Sequence, residues 1–367
     1  MKLSITREKL QKGLGAVSAT IPARTTLPVL SNILLRADGE SVQLCGTDLD
    51  ISVQVTIDAE VEAEGAVTVP AKKFSEITRE LEDAPVHLIA DQDQIRIECG
   101  RSKFKLYGLP EGEFPTFPEV DFSESWKMSA QSLQELISHT SFAASTEESR
   151  PILNGVLWQL RPESTTMVAT NGHRLAMMTK DLPEAGAPEA DLIVPPKALG
   201  QVQRLFDTDE QLEIARSANH LAFRSERRAV FTRLIEGPYP NFDQVIPKDN
   251  DKEVVASRAG LESAIRRMAV VASDQTHRVR LLFEPGAVKF RVQTPDLGEA
   301  EDELPVDYDG ESLEIGFNAN YLLEVMRYMS DDDVKLSFKA PERAATLQPA
   351  EGDSDYLCLV MPLRLLD

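Results

Sequence analysis

Three stretches decide the fold: VPAKKFSEITREL (Val69–Leu81), VPPKALGQVQRLF (Val194–Phe206) and FNANYLLEVMRYM (Phe317–Met329). Each runs from an apolar strand end into an amphipathic segment. Apolar residues at 74/77/81, 199/202/206 and 322/325/329 draw the same i, i+3, i+7 stripe, which is one face of a helix. The spacing between copies is about 123 to 125 residues, so the chain is read as an internal repeat.

Other landmarks keep the same period. Leu3, Ile5 and Leu10 match Trp126, Met128 and Leu133, then Val254, Ala256 and Leu261. A strand ends on Thr47 in GTDLD, Thr170 in ATNGH and Thr294 in QTPDL. Two Pro-rich stretches, EFPTFPEV with Phe114 and PYPNFDQVIP with Tyr239, end the first two copies and read as linkers. Segments such as VQLCGTDLDISVQVTI alternate in polarity, which predicts antiparallel strands with one buried face. The expected class is α+β: two helices packed on antiparallel sheet, three times over, in domains 1–121, 122–247 and 248–367.

Composition limits function. Of 367 residues, 42 % are hydrophobic and 27 % charged, enough to bury several cores. No apolar run approaches the roughly 20 residues of a membrane helix, and MKLSITREKLQ does not read as a secretory signal. Cys45, Cys99 and Cys358 stand far apart in apolar contexts. They predict buried free thiols in a reducing cytoplasm, without metal-ligand spacing. The net charge of −21 argues against a nucleic-acid partner if the charge is spread evenly. It is not. Helical segments at 7–20, 71–82, 129–144, 196–207, 257–271 and 318–329 hold twelve Lys and Arg against eight Asp and Glu, although acids outnumber bases 60 to 39 overall. A helix-lined surface that faces phosphate while the rest repels it fits a protein that surrounds DNA without gripping it.

The chain resembles the β subunit of bacterial DNA polymerase III, the sliding clamp, over nearly its whole length. The resemblance rests on LPVLSNILL and GTDLDISV, RPILNGVLW and ATNGHRLA, and EIGFNANYLLEVM with LVMPLRL. It implies three DNA-clamp domains per protomer and a head-to-tail homodimer closed as a ring around duplex DNA. It also implies no catalysis and no cofactor. The clamp would tether the polymerase III α subunit, raising its effective concentration at the template, and would also serve the clamp loader, other polymerases and repair proteins. DNA-facing cations would be Arg24, Lys72, Lys73, Lys197, Arg204, Arg266 and Arg267, with Arg7, Lys9 and Lys12 in support. Their contacts to phosphate would be weak and independent of base sequence. The loop STEESRPI departs from the family, offering Glu147, Glu148, Pro151 and Ile152 where amide, His or Tyr side chains are common. For the dimer contact, basic Arg101, Lys103 and Lys105, with Phe104 and Leu106, would meet Glu299, Glu301, Asp302 and Glu303.

The resemblance further implies a partner groove between copies two and three. It would hold Leu153, Thr170, Gly172, His173, Arg174, Leu175, Pro240, Val245, Asn318, Tyr321, Val360, Met361, Pro362, Leu363 and Arg364. The ligand would be a short linear motif with a Gln and a terminal Leu-Phe pair, held by its few apolar anchors. Asn171 replaces the family's usual Asp, and Asn-Gly suits a tight turn. Leu366 and Asp367 run past the usual ending, to crowd the groove mouth or lie disordered. A hydrolase built on His173 lacks support: there is no GxSxG elbow and no HExxH, and His87, His139, His220 and His277 lie scattered. A protein-binding scaffold without DNA is the remaining rival, favoured by the charge.

Overall fold

The computed structural model of the chain describes residues 1–182, 187–295, 297–351 and 355–365. The first copy opens with β1 (Lys2–Thr6), α1 (Arg7–Ser18), β2 (Asn32–Asp38), β3 (Ser41–Thr47), β4 (Ile51–Asp58) and a short β5 (Glu60–Ala63). The same order returns as β6 (Gly65–Pro70), α2 (Ala71–Glu80), β7 (Pro85–Asp91), β8 (Gln94–Cys99) and β9 (Ser102–Tyr107). Copy two comprises β10 (Trp126–Ser129), α3 (Ala130–Thr140), β11 (Val156–Leu160), β12 (Ser164–Thr170) and β13 (Arg174–Asp181). It continues with β14 (Ala190–Val194), α4 (Pro196–Leu205), β15 (Gln211–Arg216), β16 (His220–Arg224) and β17 (Arg228–Arg233). Copy three has β18 (Lys252–Ser257), α5 (Arg258–Ala269), β19 (Arg278–Glu284), β20 (Ala287–Thr294) and β21 (Gly298–Pro305). It closes with β22 (Leu313–Asn318), α6 (Ala319–Tyr328), β23 (Asp333–Phe338), β24 (Ala345–Pro349) and β25 (Tyr356–Val360). Each copy is therefore a strand–helix–three-strand unit used twice, a doubling that the landmark spacing does not reveal.

The helices start where the sequence supplies caps. The Thr6 side chain accepts from the Lys9 amide and Ser257 from the Gly260 amide. Asn318 accepts from the amides of Asn320 and Tyr321. Proline precedes α2 and α4 instead, as Pro70 and Pro195. The expected stripes face inward: Phe74 and Leu81, Leu199, Val202 and Phe206, and Leu322, Val325 and Met329 are all buried, with Ile77 half-buried. Each large apolar side chain so buried contributes roughly 1.5–3 kcal/mol.

The chain forms two compact bodies. One contains Met1–Gln134 and Val194–Ile235; the other contains Glu189–Ile193 and most of residues 135–182 and 236–365. The middle copy is divided between them. The first body holds a five-stranded sheet, β5-β1-β7-β8-β9, and an eight-stranded sheet, β10-β15-β16-β17-β4-β3-β2-β6. The second holds β14-β11-β12-β13-β25-β24-β23-β18 and a four-stranded sheet, β21-β20-β19-β22. The expected antiparallel pairing is present, as in β12 on β13 and β3 on β4. Both eight-stranded sheets join strands of successive copies. In one, β17 lies on β4 with Thr232 opposite Ile51; in the other, β25 lies on β13 with Val360 opposite Arg174. The strands that correspond to these partners, β9 and β21, end their sheets as edges.

All three cysteines are free and buried, as expected. Burial pushes the thiols of Cys45 and Cys358 up to about 12. A raised pKa leaves almost no thiolate at pH 8, and the thiolate is the nucleophile. With Cys99 also shut away from solvent, the native protein is expected to leave a disulfide reagent such as DTNB essentially uncoloured at pH 8, with three thiols appearing only in denaturant. Rapid native reaction would show that these sites open.

Candidate functional site

The second body contains a cavity of about 820 Å³ lined by the end of β12, the start of β13, the end of β25 and the segment after Tyr239. Its position depends on a turn that the sequence dictates. The Asn171 carboxamide oxygen accepts from the amides of His173 (2.9 Å) and Arg174 (3.0 Å). The Thr170 hydroxyl donates to the Arg174 carbonyl (2.6 Å) and accepts from the Gly172 amide (3.1 Å). Gly172 carries φ +87°, where a side chain would be strained. Copy one builds the same turn with Asp48 accepting from the amides of Asp50 and Ile51, and with Leu49 at φ +81°. Asn171 therefore does the work of an Asp, through the same side-chain oxygen.

Leu153, Leu175, Pro240, Val245 and Met361 give the cavity an apolar lining, with Thr170, Gly172 and Arg174 beside them. Val245 is 52 % and Met361 38 % exposed, so apolar surface is offered to a ligand. Arg174 is the buried anchor, with its side chain 8 % exposed. It donates to the Phe142 carbonyl (2.6 Å), pairs with Glu324, and lies 4.7 Å from the Tyr321 ring centre and 5.3 Å from that of Phe142. Burial lowers its pKa from the ordinary arginine value. Removing the group forfeits a charge-assisted hydrogen bond and two cation–ring contacts. Glu324 is half-exposed and regains water. Arg174→Ala is expected to lower stability by about 2 kcal/mol, read as a shift of the urea midpoint at unchanged slope. An unshifted midpoint would remove Arg174 from the frame of the cavity.

Seven expected groove residues do not line this cavity. His173 is exposed and stacks on Tyr321 at 6.5 Å between ring centres. Asn318 is spent capping α6. Val360 is buried in the sheet between Arg174 and Ala345. The Leu363 amide donates to Gly316, and the Arg364 carbonyl accepts from Arg278. Pro362 is half-buried; Leu366 and Asp367 lie outside the described residues. Conversely, Asn241, Phe242, Asp243, Gln244, Ile246, Pro247 and Lys248 form one wall, with Glu342, Arg343, Ala344 and Leu359 opposite. Sequence reading treats that wall as a linker. Its apolar residues at 242, 245 and 246 were the available signal.

The cations read as DNA-facing are exposed: Arg24 in the loop after α1, Lys72 and Lys73 on α2, Lys197 and Arg204 on α4, Arg266 and Arg267 on α5. Several are already paired. Lys73 meets Glu76 (2.7 Å), Lys197 meets Asp48, Arg266 meets Glu262, and Arg267 meets Asp302. Arg7 donates to the Leu81 carbonyl (2.6 Å) and so ties α1 to the end of α2. Glu147 pairs with Arg150 (2.7 Å). On the edges, Lys103, Phe104, Lys105 and Leu106 lie on β9 with Arg101 in the preceding turn, and Glu299, Glu301, Asp302 and Glu303 lie on β21.

Three copies of a doubled motif with a preformed apolar cavity define a docking protein. Comparison places it more closely. Residues 1–118, 127–241 and 243–364 match the N-terminal, central and C-terminal domains of the DNA polymerase III beta subunit. The chain is 36 % identical to the beta sliding clamp of Pseudomonas putida and 35 % to that of Caulobacter vibrioides, with full coverage of both chains in each case. Among solved structures it is similar to the Pseudomonas aeruginosa sliding clamp bound to griselimycin, with a TM-score of 0.95, 33 % identity and full coverage of both chains. It is also similar to the Caulobacter crescentus beta sliding clamp, with a TM-score of 0.94 and 34 % identity over 100 % of this chain and 99 % of that one. The chain belongs to the DNA polymerase III β-subunit family, the sliding clamps, and is a non-catalytic processivity factor of DNA replication.

Proposed function

We propose that the protein acts in the cytoplasm as a head-to-tail dimeric ring of three domains per protomer, bounded at 1–121, 122–247 and 248–367, that encircles duplex DNA. The observation that carries this reading is the strand bookkeeping. Copies join where the last strand of the later copy lies on the fourth strand of the earlier one, twice within the chain: β17 on β4 and β25 on β13. The two corresponding strands left over are β9 in copy one and β21 in copy three. A third junction of the same kind needs a second protomer, and pairing these edges twice closes a ring. Charge supports the match, since β9 carries Lys103 and Lys105 and β21 carries four carboxylates. Apolar surface does too: Tyr107 is 70 %, Leu297 63 % and Val270, at the end of α5, 79 % exposed. Arg24, Lys72 and Arg204, all exposed, supply the phosphate contacts that permit sliding. The second-body cavity takes the apolar anchors of short motifs on the polymerase, the clamp loader and repair proteins.

The register of the third junction follows from the other two. The Gly108 amide bonds the Asp93 carbonyl as Leu234 bonds Asn219, so Leu106 corresponds to Thr232. Gly298 lies opposite Thr294 as Ser52 lies opposite Thr47, so Leu297 corresponds to Ile51. Leu106 then faces Leu297 of the second protomer, and Ser102 faces Glu301. A chain carrying both Ser102→Cys and Glu301→Cys is expected to form a covalent dimer under mild oxidation, seen on a non-reducing gel. Antiparallel neighbours at this position stand about 4.5 Å apart at Cα, within disulfide reach. A persistent monomer would defeat this register; a monomer by native mass as well would defeat the ring.

A further inference from the structure

The first body contains a second cavity, of about 440 Å³, between α1, the end of β4, the end of α4 and the start of β17. Its charge is opposite to that of the chain. Lys9, Lys12, Arg204, Arg227 and Arg228 line it against two carboxylates, Asp58 and Asp207, in a protein of net charge −21. Three of the five cations are compensated. Arg228 donates to the Leu205 carbonyl (2.5 Å) and to Glu210 (2.6 Å), and meets Asp207 at 3.2 Å. Arg227 pairs with Asp58 at 2.5 Å, and Lys9 approaches the same carboxylate at 3.7 Å. Lys12 and Arg204 have no carboxylate partner among the described residues. The remaining lining is apolar or small, including Ile57, Val55, Gly15 and Ala16.

The second body shows that this space is not required by the fold. The stripe correspondences put His139 where Ala16 stands, Tyr328 where Leu205 stands, and Tyr356 where Arg228 stands. There His139 meets Tyr356 edge-on at 4.8 Å and Tyr328 at 6.3 Å, so aromatic rings occupy the region. In the first body Ala16, Leu205 and Arg228 replace the rings, and a cavity remains. We propose that this cavity binds a small organic phosphate: Lys12 and Arg204 engage the phosphate, and a planar or apolar group lies along Gly15, Ala16 and Ile57. The site shares Arg204 with the cations proposed to face DNA and shares no residue with the peptide-binding cavity.

Titration calorimetry of the intact protein with dAMP, and separately with inorganic phosphate and a short DNA duplex, tests this. Saturable dAMP binding is expected, weakened at least about tenfold by joint Lys12→Ala and Arg204→Ala, since a charge-assisted hydrogen bond is worth about 1.5 kcal/mol or more. Inorganic phosphate should bind more weakly than dAMP, because it lacks the group that fills the cavity. A Cβ at Gly15 meets nothing within 4 Å. Gly15→Leu is therefore expected to block dAMP while the melting temperature holds or rises, leucine being the better helix former. No saturable dAMP binding, dAMP binding unchanged in both variants, or weakening of the duplex alone would each overturn the proposal. The last outcome would assign these cations to DNA backbone contact only.

Discussion

Lys105→Pro is expected to convert the proposed dimer to a monomer and to abolish stable retention on circular DNA. The effect depends on which backbone amides point outward. In the junction of copies one and two, the Arg233 amide donates to Asp50 and the Thr56 amide donates to Arg227. Odd-numbered residues of β17 therefore bond across the junction. Phe231 corresponds to Lys105, whose amide faces away from β8 at the open edge of the five-stranded sheet. Proline there removes a junction donor and sets its ring against the incoming strand, at a cost of about 3 kcal/mol, while sparing the bonds to β8. Each of two interfaces would weaken more than about a hundredfold. Sedimentation at micromolar concentration should show monomer, with a far-ultraviolet spectrum like that of the parent. A dimer of parental affinity would mean that β9 is not the closing strand.

Met361→Asp is expected to lower affinity for a motif peptide by about a hundredfold or more, with little loss of stability. Met361 sits at the cavity lip, and its amide bond to the His173 carbonyl (2.8 Å) survives the change. A carboxylate on an apolar wall must be desolvated whenever an apolar anchor enters, at a cost of several kcal/mol. Binding energy at such sites is concentrated in a few anchors. His173→Ala should weaken the same peptide only a few-fold, because the imidazole stands on Tyr321 outside the cavity lining. Fluorescence anisotropy with a labelled peptide bearing Gln and a terminal Leu-Phe pair separates the two. Equal losses would return His173 to the centre of the groove, and parental affinity in Met361→Asp would move the site elsewhere.

That difference between Met361 and His173 marks where sequence reading stops. Leu153, Thr170, Gly172, Arg174, Leu175, Pro240, Val245 and Met361, from four separate stretches of the chain, were legible as groove residues only through the family resemblance. His173 is adjacent to them in the chain, yet side chains alternate along the strand that begins at Arg174, and the turn sends the imidazole out. The Asn241–Lys248 wall is polar and proline-rich enough to read as a linker, and only its packing makes it part of the site.

The sequence by itself determined the threefold repeat, the helices, the alternation of the strands and the buried thiols. All of these are local: helix stripes, caps and period-two burial depend on residues a few positions apart. It also carried the concentration of cations on helices. Only the tertiary structure decided which strands of different copies meet, because that depends on pairing between residues more than a hundred positions apart, as when Arg228 lies opposite Val55. From that pairing come the two unmatched edges, the apolar cavity beside Arg174, and the cationic one beside Lys12. Charge is read from composition; whether it is already neutralised, as Arg267 is by Asp302, is read only from the folded chain.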